Sequence, residues 1–429
     1  MQLAPPYAPP SVNPAPPAPA RDGADAAWPV ALLGVPFDPL TLADAVERIE
    51  TMVEAWTPHY VVTANVDFLV QAQRDAELRR ILVDADLVLC DGTPLVWASR
   101  WLGNTLPGRA AGSDLVPLLL QRAALRGWKV FMLGAAPGVA AEAARRVMKQ
   151  YPTLPEIAHY SPPFKPLAEM NHEEIIARIQ AEQPEVLLVS FGCPKQEKWI
   201  ARNYRALGVP VVIGVGATID FLAGNVRRAP RWMQRSGTEW LFRLLQEPKR
   251  LFRRYADDFR HFLPALLAQR RQLPPVDAPA AATANGHGYA SLSESTLYGL
   301  KVRACEQLDR HGLQKESRFW REALEQRGHC LVDLGEVRAI DSTGLAFLAY
   351  WQKRLAKRRR NLVLFRPSAA VRTAIAQAGL ADQFIVTDGT PPVGRAGVPK
   401  REGMENAYAK DGGAVTTSAS TRASGSAAP

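Results

Sequence analysis

The sequence predicts an α/β protein with two folded units of unequal size. Between residues 28 and 263, short β-branched runs alternate with stretches of helical periodicity, which is typical of a parallel sheet covered by helices on both faces. A stretch rich in Pro, Ala and Gly at residues 272–290 interrupts this pattern, and a shorter α/β pattern follows it. The length of 429 residues also exceeds a single core, because domains usually contain about 100–200 residues.

The composition narrows the class of protein. With 47% hydrophobic and 22% charged residues, a wholly disordered, collagen-like or membrane-embedded chain is excluded. Four scattered cysteines do not suit a disulfide framework or paired zinc ligands, which favours a reducing compartment. Residues 1–27 lack the charged and apolar regions of a signal peptide, and no apolar stretch reaches the ~20 residues that span a bilayer. We expect a cytoplasmic protein with, at most, peripheral membrane contact.

The elements follow from local patterns, taken in chain order. In the first unit, β-branched runs predict strands at residues 60–63, 87–90, 129–133, 186–190 and 211–215, and helical periodicity predicts helices at 140–150 and 173–181. In the second unit we expect a helix at 297–308, a strand at 330–334, a helix at 342–354, a strand at 362–365 and a helix from 369. The Pro/Ala-rich start and the Gly/Ala/Ser-rich end predict disordered tails at residues 1–27 and 389–429.

Polar or glycine-containing turns follow the predicted strands of the first unit, at residues 63–67, 91–94, 134–138, 192–197 and 214–220. Each turn alone is typical of an ordinary loop, but ligands of parallel sheets bind at the carboxyl ends of the strands. Asp91 is the best candidate base, because burial raises the pKa of a carboxylate. The side chains of Lys195 and Gln196 are suited to bind a diphosphate or a sugar hydroxyl. The turn that begins at Gly134 is a weak indication of a phosphate-binding site. Nothing in this unit requires a metal ion.

The basic residues are concentrated in residues 226–271. This segment has twelve Lys and Arg against four Asp and Glu, a surplus of eight within a net charge of +10 for the whole chain. Aromatic and aliphatic residues alternate with these charges at helical spacing, which favours an anionic membrane surface. A solvated helix face and a nucleic-acid surface are the alternatives, and the absence of an aromatic platform on strands disfavours nucleic acid.

Five motifs of the first unit resemble the WecG/TagA/CpsF glycosyltransferases, in the order of that family. They are Thr-Ala-Asn at 63–65, Asp-Gly-Thr-Pro-Leu-Val-Trp at 91–97, Arg-Ala-Ala-Gly-Ser-Asp-Leu at 109–115, Gly-Cys-Pro-Lys-Gln-Glu-Lys-Trp at 192–199, and the segment 214–224 with Arg-Ala-Pro-Arg-Trp-Met at 228–233. The resemblance implies a Rossmann-like parallel sheet. It also implies inverting transfer of an N-acetylmannosamine-type sugar, its uronic acid or a hexose from UDP to an undecaprenyl-diphosphate-linked acceptor, in exopolysaccharide, capsule or cell-wall synthesis.

The resemblance also assigns roles to residues. Asp91 would be the base on the acceptor hydroxyl, with Thr63 and Asn65 beside it, and Arg109, Gln196 and Asp220 would bind substrate. The local patterns add Gly134 and Lys195 to the predicted substrate-binding residues. The basic appendage would meet the lipid diphosphate and the inner-leaflet lipid through Arg228, Arg231, Arg235, Arg243, Arg250, Arg253 and Arg254. No cofactor is implied, and without a metal ion the cationic side chains would stabilise the leaving UDP.

The second unit resembles a STAS domain, the module of anti-sigma factor antagonists, through Val-Asp-Leu at 332–334 and Ile-Asp-Ser-Thr-Gly-Leu at 340–345. Asp341 or Ser342 can cap the helix that follows. Alternatively, Ser342 or Thr343 accepts a phosphoryl group, and the unit then binds a protein partner or a kinase as a separable regulatory domain. The basic run at residues 353–360 is interpreted as a solvated helix end.

The predicted organisation is a tail at 1–27, a transferase core at 28–225, the basic appendage at 226–271, a linker at 272–290, a STAS domain at 291–388 and a tail at 389–429. The sequence allows a homo-oligomer, and a nucleic-acid partner is not expected. The rival interpretation is a signalling protein that has lost catalysis and acts through its STAS domain. The presence of the motif residues argues against that rival; they are Thr63, Asn65, Asp91, Arg109 and Gln196.

Overall fold

The computed structural model describes residues 28–272, 290–295, 299–325 and 328–389. The predicted tails and linker fall almost wholly outside these residues. The strands of the first unit are β1 (Val30–Leu32), β2 (Val35–Phe37), β3 (His59–Ala64), β4 (Leu87–Cys90), β5 (Val130–Gly134), β6 (Ala158–Tyr160), β7 (Val186–Ser190) and β8 (Val211–Gly214). Its helices are α1 (Leu42–Glu54), α2 (Val66–Arg74), α3 (Ala76–Asp84), α4 (Thr93–Trp101), α5 (Gly112–Arg126), α6 (Val139–Gln150), α7 (His172–Glu182), α8 (Lys195–Asn203), α9 (Thr218–Ala223), α10 (Arg231–Ser236), α11 (Glu239–Gln246) and α12 (Pro248–Gln272).

Six of these strands form a parallel sheet in the order β4-β3-β8-β7-β5-β6. Alternate residues of each strand enter two separate apolar cores, so that Val61 and Leu188 lie in one core while Val62 and Val189 lie in the other. Both faces of the sheet are therefore buried, as the continuous apolar runs require. The predicted α/β class is confirmed, and the strands predicted at 87–90 and 186–190 match β4 and β7 at both ends.

The basic appendage is helical and lies against the core. Its long helix α12 packs against α2, and Leu251 and Leu266 of α12 are buried. Near the end of α12, Gln269 bonds the first strand twice: its amide nitrogen donates to the carbonyl of Ala31, and its oxygen accepts from the N–H of Leu33, each at 3.0 Å. The appendage is thus fixed to the core at its far end.

The second unit contains β9 (Ser291–Ser295), β10 (Gly299–Arg303), β11 (Gln307–Leu308), α13 (Arg310–Lys315), α14 (Ser317–Glu325), β12 (Cys330–Asp333), β13 (Ala339–Ile340), α15 (Ser342–Lys357), β14 (Leu362–Phe365), α16 (Ala369–Gln377) and β15 (Ile385–Thr387). Its main sheet has the order β15-β14-β12-β10-β9, with only β9 antiparallel to its neighbour. Asp341 caps α15, since its Oδ1 accepts from the N–H of Gly344 at 2.9 Å. The predicted small α/β unit is confirmed.

One element of the second unit contradicts the sequence prediction. The helix expected at residues 297–308 is wrong, because residues 299–303 form β10 and residues 307–308 form β11. Strand β10 lies between β9 and β12, so sheet pairing on both sides satisfies its backbone. A short apolar run has no periodicity that separates a strand from a buried helix, and tertiary pairing decides the outcome.

The two units pack against each other through α15, which lies on β1, β2 and α3. Val83 of α3 belongs to the apolar core of the second unit, and the Trp28 ring meets the Phe347 ring edge-on at 5.0 Å between centroids. The turn between β1 and β2 needs Gly34, which has a φ of +83° and would place a Cβ 2.5 Å from the carbonyl oxygen of Ala378. The first unit therefore contacts the second at both α15 and the end of α16.

The basic run at the end of α15 is expected from the sequence to be solvated, but two of its lysines contact the first unit. Lys353 is only 8% exposed, and its ammonium group donates to the carbonyl of Ala85 at 2.7 Å. Lys357 pairs with the buried carboxylate of Asp86. The partners of both lysines lie on the first unit, where sequence spacing gives no signal. Residues 358–360 are exposed, as expected.

Candidate active site

A cleft of about 1820 Å³ opens at the carboxyl ends of the six-stranded sheet. The turns after β3, β4, β5, β7 and β8 line one side of it, and α11 and α12 line the other. The cleft brings together all eight residues predicted for catalysis and substrate binding: Thr63, Asn65, Asp91, Arg109, Gly134, Lys195, Gln196 and Asp220. Their individual roles stay predictions.

Asp91 directly follows β4, and its position is fixed by the backbone. Its N–H donates to the carbonyl of Ala64 on the neighbouring strand at 2.8 Å, and the carbonyl of Cys90 accepts from Ala110 at 2.7 Å. Gly92, with a φ of +154°, then turns the chain into α4. The carboxylate therefore stands between the sheet edge and the start of a helix, facing the cleft.

Burial raises the pKa of Asp91 to about 6, although the guanidinium groups of Arg109 and Arg243 oppose the rise. The nearby carboxylates of Glu239 and Asp114 reinforce it. A carboxylate with this pKa is mostly ionised at neutral pH and is a stronger base than an ordinary aspartate. The environment of Asp91 thus suits removal of a proton from a hydroxyl group.

Thr63 and Asn65 lie beside Asp91 in the lining of the cleft, and their side chains also make hydrogen bonds to the backbone. The Thr63 hydroxyl donates to the carbonyl of Gly214 at 3.0 Å and links β3 to β8. The Asn65 side chain caps α2 by accepting from the N–H of Phe68 at 3.3 Å. Both residues shape the floor of the cleft, and the amide nitrogen of Asn65 has no role in the cap.

Gly134, Lys195 and Gln196 form the opposite part of the floor. Gly134 has a φ of +99°, and a Cβ there would lie 2.4 Å from the carbonyl oxygen of Ser190, so only glycine fits. Gln196 is buried and bonds the N–H of Gly216 at 3.2 Å and the carboxylate of Glu197 at 2.7 Å. Lys195 donates to the carbonyl of Lys165 at 2.5 Å, and burial lowers the pKa of its ammonium group.

Arg109 lines the cleft, but its guanidinium already pairs with two carboxylates. It lies 2.6 Å from Glu239 of α11 and 3.1 Å from Asp114 of α5. Arg228 completes the network by pairing with Asp114 and approaching Glu239 at 3.7 Å. These four residues, here called the charge network, join the core to the appendage. Arg228 is absent from the lining of the cleft, so its predicted contact with a lipid diphosphate has no geometric support.

The other six arginines predicted to meet the lipid diphosphate divide into three groups. Arg243 and Arg254 line the cleft, with guanidinium carbons 5.5 Å from the ring centroid of Phe221 and 5.3 Å from that of Tyr255. Arg253 is exposed and absent from the lining. The side chains of Arg231, Arg235 and Arg250 lie outside the described residues. Arg243 and Arg254 are therefore the appendage cations placed to meet a bound anion.

Several features of the cleft have no counterpart among the sequence predictions. Trp97 and Trp101 of α4 line it together with Phe252 and Phe259 of α12, and all four side chains are exposed. Asp258 also lines the cleft, and burial together with the Asp67 carboxylate raises its pKa to about 7. The tryptophans lie four residues apart in the sequence, which is a signal for a shared face where the segment is helical. Asp258 had no comparable signal.

Among the residues that the structure describes, no group of three His, Cys, Asp or Glu side chains could hold a metal ion. Metal independence stays a prediction. In the same part of the chain, no helix is both long enough and apolar enough to cross a membrane.

The phosphorylation candidates of the second unit lie away from this cleft and are buried. Thr343 is 1% exposed and its hydroxyl bonds the side-chain amide of Asn104 in the first unit. Ser342 is also buried and lines a separate cavity of about 770 Å³ between the two units. A kinase could reach either hydroxyl only after the two units separate. Phosphorylation of Ser342 or Thr343 therefore stays a prediction, and it requires that separation.

Comparison with known proteins agrees with this geometry. Residues 30–275 match the model of the glycosyl transferase WecG/TagA/CpsF family, and residues 299–387 match the Mlab, STAS domain family. A relative from Bacillus spizizenii is 35% identical over 191 residues, covering 44% of this chain and 72% of the relative. A relative from Staphylococcus aureus (strain MW2) is 30% identical over 226 residues, covering 52% of this chain and 87% of the relative.

Both relatives carry the name N-acetylglucosaminyldiphosphoundecaprenol N-acetyl-beta-D-mannosaminyltransferase. The family match spans more than half of the chain and includes every strand that contributes a turn to the cleft. The chain therefore belongs to the WecG/TagA/CpsF family of glycosyltransferases, and it carries a STAS domain after the transferase unit.

Proposed function

We propose that this enzyme transfers an N-acetylmannosamine-type sugar from UDP to a saccharide linked to undecaprenyl diphosphate, with inversion at the anomeric carbon, in cell-wall or surface-polymer synthesis. The observation that carries the proposal is Asp91, a carboxylate with a raised pKa in a cleft lined by cations and aromatic side chains. The printed names of the relatives supply the sugar and the acceptor.

In the proposed reaction, Asp91 accepts the proton of the acceptor hydroxyl as its oxygen attacks the anomeric carbon of the donor. The bond from that carbon to the UDP oxygen breaks on the opposite face, and UDP leaves with the bonding electron pair. Negative charge grows on the diphosphate, and cations placed beforehand stabilise it. Lys195, Arg243 and Arg254 line the cleft and are our candidates for this role, because the guanidinium of Arg109 is shared by two carboxylates.

The lipid-linked acceptor requires the cleft to open near a membrane surface. The appendage supports this requirement, because Trp232 and Leu245 are exposed there together with basic residues such as Arg253 and Arg260. Apolar side chains that enter the headgroup region and cations that attract anionic lipid add their free energies. We therefore propose a peripheral protein of the inner membrane face whose appendage holds the cleft over its substrate.

The test of the proposed function is transfer by the purified full-length protein. UDP-N-acetylmannosamine and a short-chain lipid diphosphate carrying N-acetylglucosamine are supplied without added metal, and the product is identified by mass spectrometry. We expect a disaccharide on the lipid with an inverted anomeric centre. If a panel of UDP-sugars and lipid-linked acceptors gives no product, the proposal is refuted, and the rival signalling protein acting through the STAS domain is favoured.

Membrane binding is tested separately with the double variant Trp232→Ser/Leu245→Ser. Burying a large apolar side chain contributes about 1.5–3 kcal/mol, so losing two should weaken binding to anionic vesicles by at least about tenfold. Neither residue lines the cleft, and turnover of a water-soluble acceptor should not change. Leu125→Ser is the matched control, since Leu125 on α5 is 76% exposed and Leu245 is 72% exposed. Equal vesicle binding by all three proteins would place the membrane contact elsewhere.

A further inference from the structure

The second unit contacts the transferase unit at both ends of one segment, residues 85–104. This segment comprises all of β4, Asp91 and all of α4. We define the docking face as Thr343, Lys353 and Lys357 of α15 together with Arg310 of α13. Every member of the docking face contacts this segment.

At the first end, the docking face meets the two residues that precede β4. Lys353 donates to the carbonyl of Ala85 at 2.7 Å, and Lys357 pairs with one oxygen of Asp86. The other oxygen of Asp86 accepts from the N–H of Tyr60 on β3 at 3.0 Å. The Asp86 side chain is 2% exposed, so Lys357 compensates a charge that water cannot reach.

β4 is the edge strand of the sheet, so only β3 pairs with it as a strand. On its outer side, Asp38 takes the place of a second strand: its N–H donates to the carbonyl of Val88 at 3.0 Å, and its carboxylate accepts from the N–H of Val88 at 2.8 Å. Burial raises the pKa of Asp38, and the ammonium groups of Lys353 and Lys357 oppose this rise. Lys357 therefore supports both carboxylates that hold β4, and Lys353 supports that of Asp38.

At the second end, the docking face meets the residues that follow α4. Arg310 donates to the carbonyl of Gly103 at 2.6 Å, and Thr343 bonds the side chain of Asn104. The N–H of Asn104 bonds back to the carbonyl of Ser99 in α4 at 3.0 Å. These bonds restrain the position of α4 along its axis.

We propose that the STAS domain positions the candidate base: by holding the start of β4 and the end of α4, the docking face sets the place of Asp91 relative to the two substrates. Thr343, Arg310, Lys353 and Lys357 are positioning residues, since they act through the segment and are absent from the lining of the cleft. This inference rests on the proposed transfer reaction. A displacement of about 1 Å at a reacting group can cost ~10²-fold in rate.

The test uses the full-length protein with Lys353→Met/Lys357→Met, which keeps the apolar stems and removes both charges. We expect kcat to fall about 10–100-fold while KM for the UDP-sugar changes little, because Lys195, Arg243 and Arg254 are untouched. Hydrogen exchange should become faster in β4 and α4 and stay unchanged in β7. Lys357→Arg should keep most of the activity, and Arg358→Met is the matched control at the same helix end.

A second variant, Thr343→Val, removes the bond to Asn104 without changing the side-chain volume and tests the other end of the segment. It should lower kcat in the same direction and leave KM for the donor unchanged. Wild-type kcat in both variants, with faster exchange in β4 and α4, would overturn the inference. A wild-type protein that transfers no sugar would instead refute the proposed function, and the exchange data would still report whether the docking face holds the segment.

Discussion

Asp91→Asn should lower kcat for sugar transfer by about 10²–10⁴-fold, the usual contribution of a general base. The amide keeps the shape of the carboxylate but cannot accept the proton of the acceptor hydroxyl. In the wild-type enzyme, kcat/KM should rise with pH through about 6, because Asp91 must lose its proton to act. In the variant this rise should disappear, while UDP binding remains.

The stability of this variant provides an internal check. The pKa of Asp91 is higher in the folded protein than in the unfolded chain, so the carboxylate opposes folding increasingly as pH rises from about 4 to 6. At neutral pH the neutral amide removes this cost, and the Tm of Asp91→Asn should equal or exceed that of the wild type. Asp220→Asn changes another carboxylate of the cleft and should retain the acidic limb of the pH profile. Near-wild-type kcat in Asp91→Asn would exclude Asp91 as the base.

Deleting the STAS domain after residue 289 should destabilise the transferase unit rather than release an intact enzyme. The deletion removes Lys353 and Lys357, which face the half-buried carboxylate of Asp38 and the buried carboxylate of Asp86, and it uncovers Val83. Arg48 remains near Asp38, so the larger loss falls on Asp86. Removing one partner of a buried pair costs about 3–5 kcal/mol, and the half-exposed Lys357 suggests the lower end of that range. We expect a clear fall in Tm, measured by calorimetry, with aggregation on heating.

A rescue experiment separates charge from lost apolar contact. Adding Asp38→Asn and Asp86→Asn to the deletion removes both carboxylate charges and keeps an oxygen that can accept from Val88 and Tyr60. This protein should recover part of the lost stability. If the protein with the simple deletion had the Tm and the turnover of the full chain, the STAS domain would be a separable regulatory domain, as the sequence predicts.

The residues that could be predicted from sequence are those with a local physical signal. β4 and β7 are continuous apolar runs between polar turns, and Asp91 is a carboxylate at the end of such a run, so pattern alone locates them. Gln196 and Lys195 were found in the same way at the start of α8. The topology of the sheet then explains why these distant turns meet in one cleft.

The features that escaped prediction depend on partners far away in the sequence. In the sequence, Arg109 has the pattern of a free substrate-binding cation. In the fold, the carboxylate of Glu239 on α11 lies 2.6 Å from its guanidinium group. Lys353 belongs to a basic run that ends a helix, and only packing of the two units buries it against Ala85. The strand at residues 299–303 also escaped prediction because of distant partners, since pairing with β9 and β12 outweighs an ambiguous local pattern.

The charge network limits how this enzyme can be recombined with its relatives. Arg109 and Asp114 come from the core, whereas Arg228 and Glu239 come from the region that leads into and forms the appendage, and each arginine pairs across that boundary. A chimera joined between residues 115 and 228 inherits half of the network from each parent. It leaves poorly hydrated charges unmatched unless the other parent carries the same four residues. With a parent that lacks these residues, the appendage and the core of this transferase therefore have to be exchanged together.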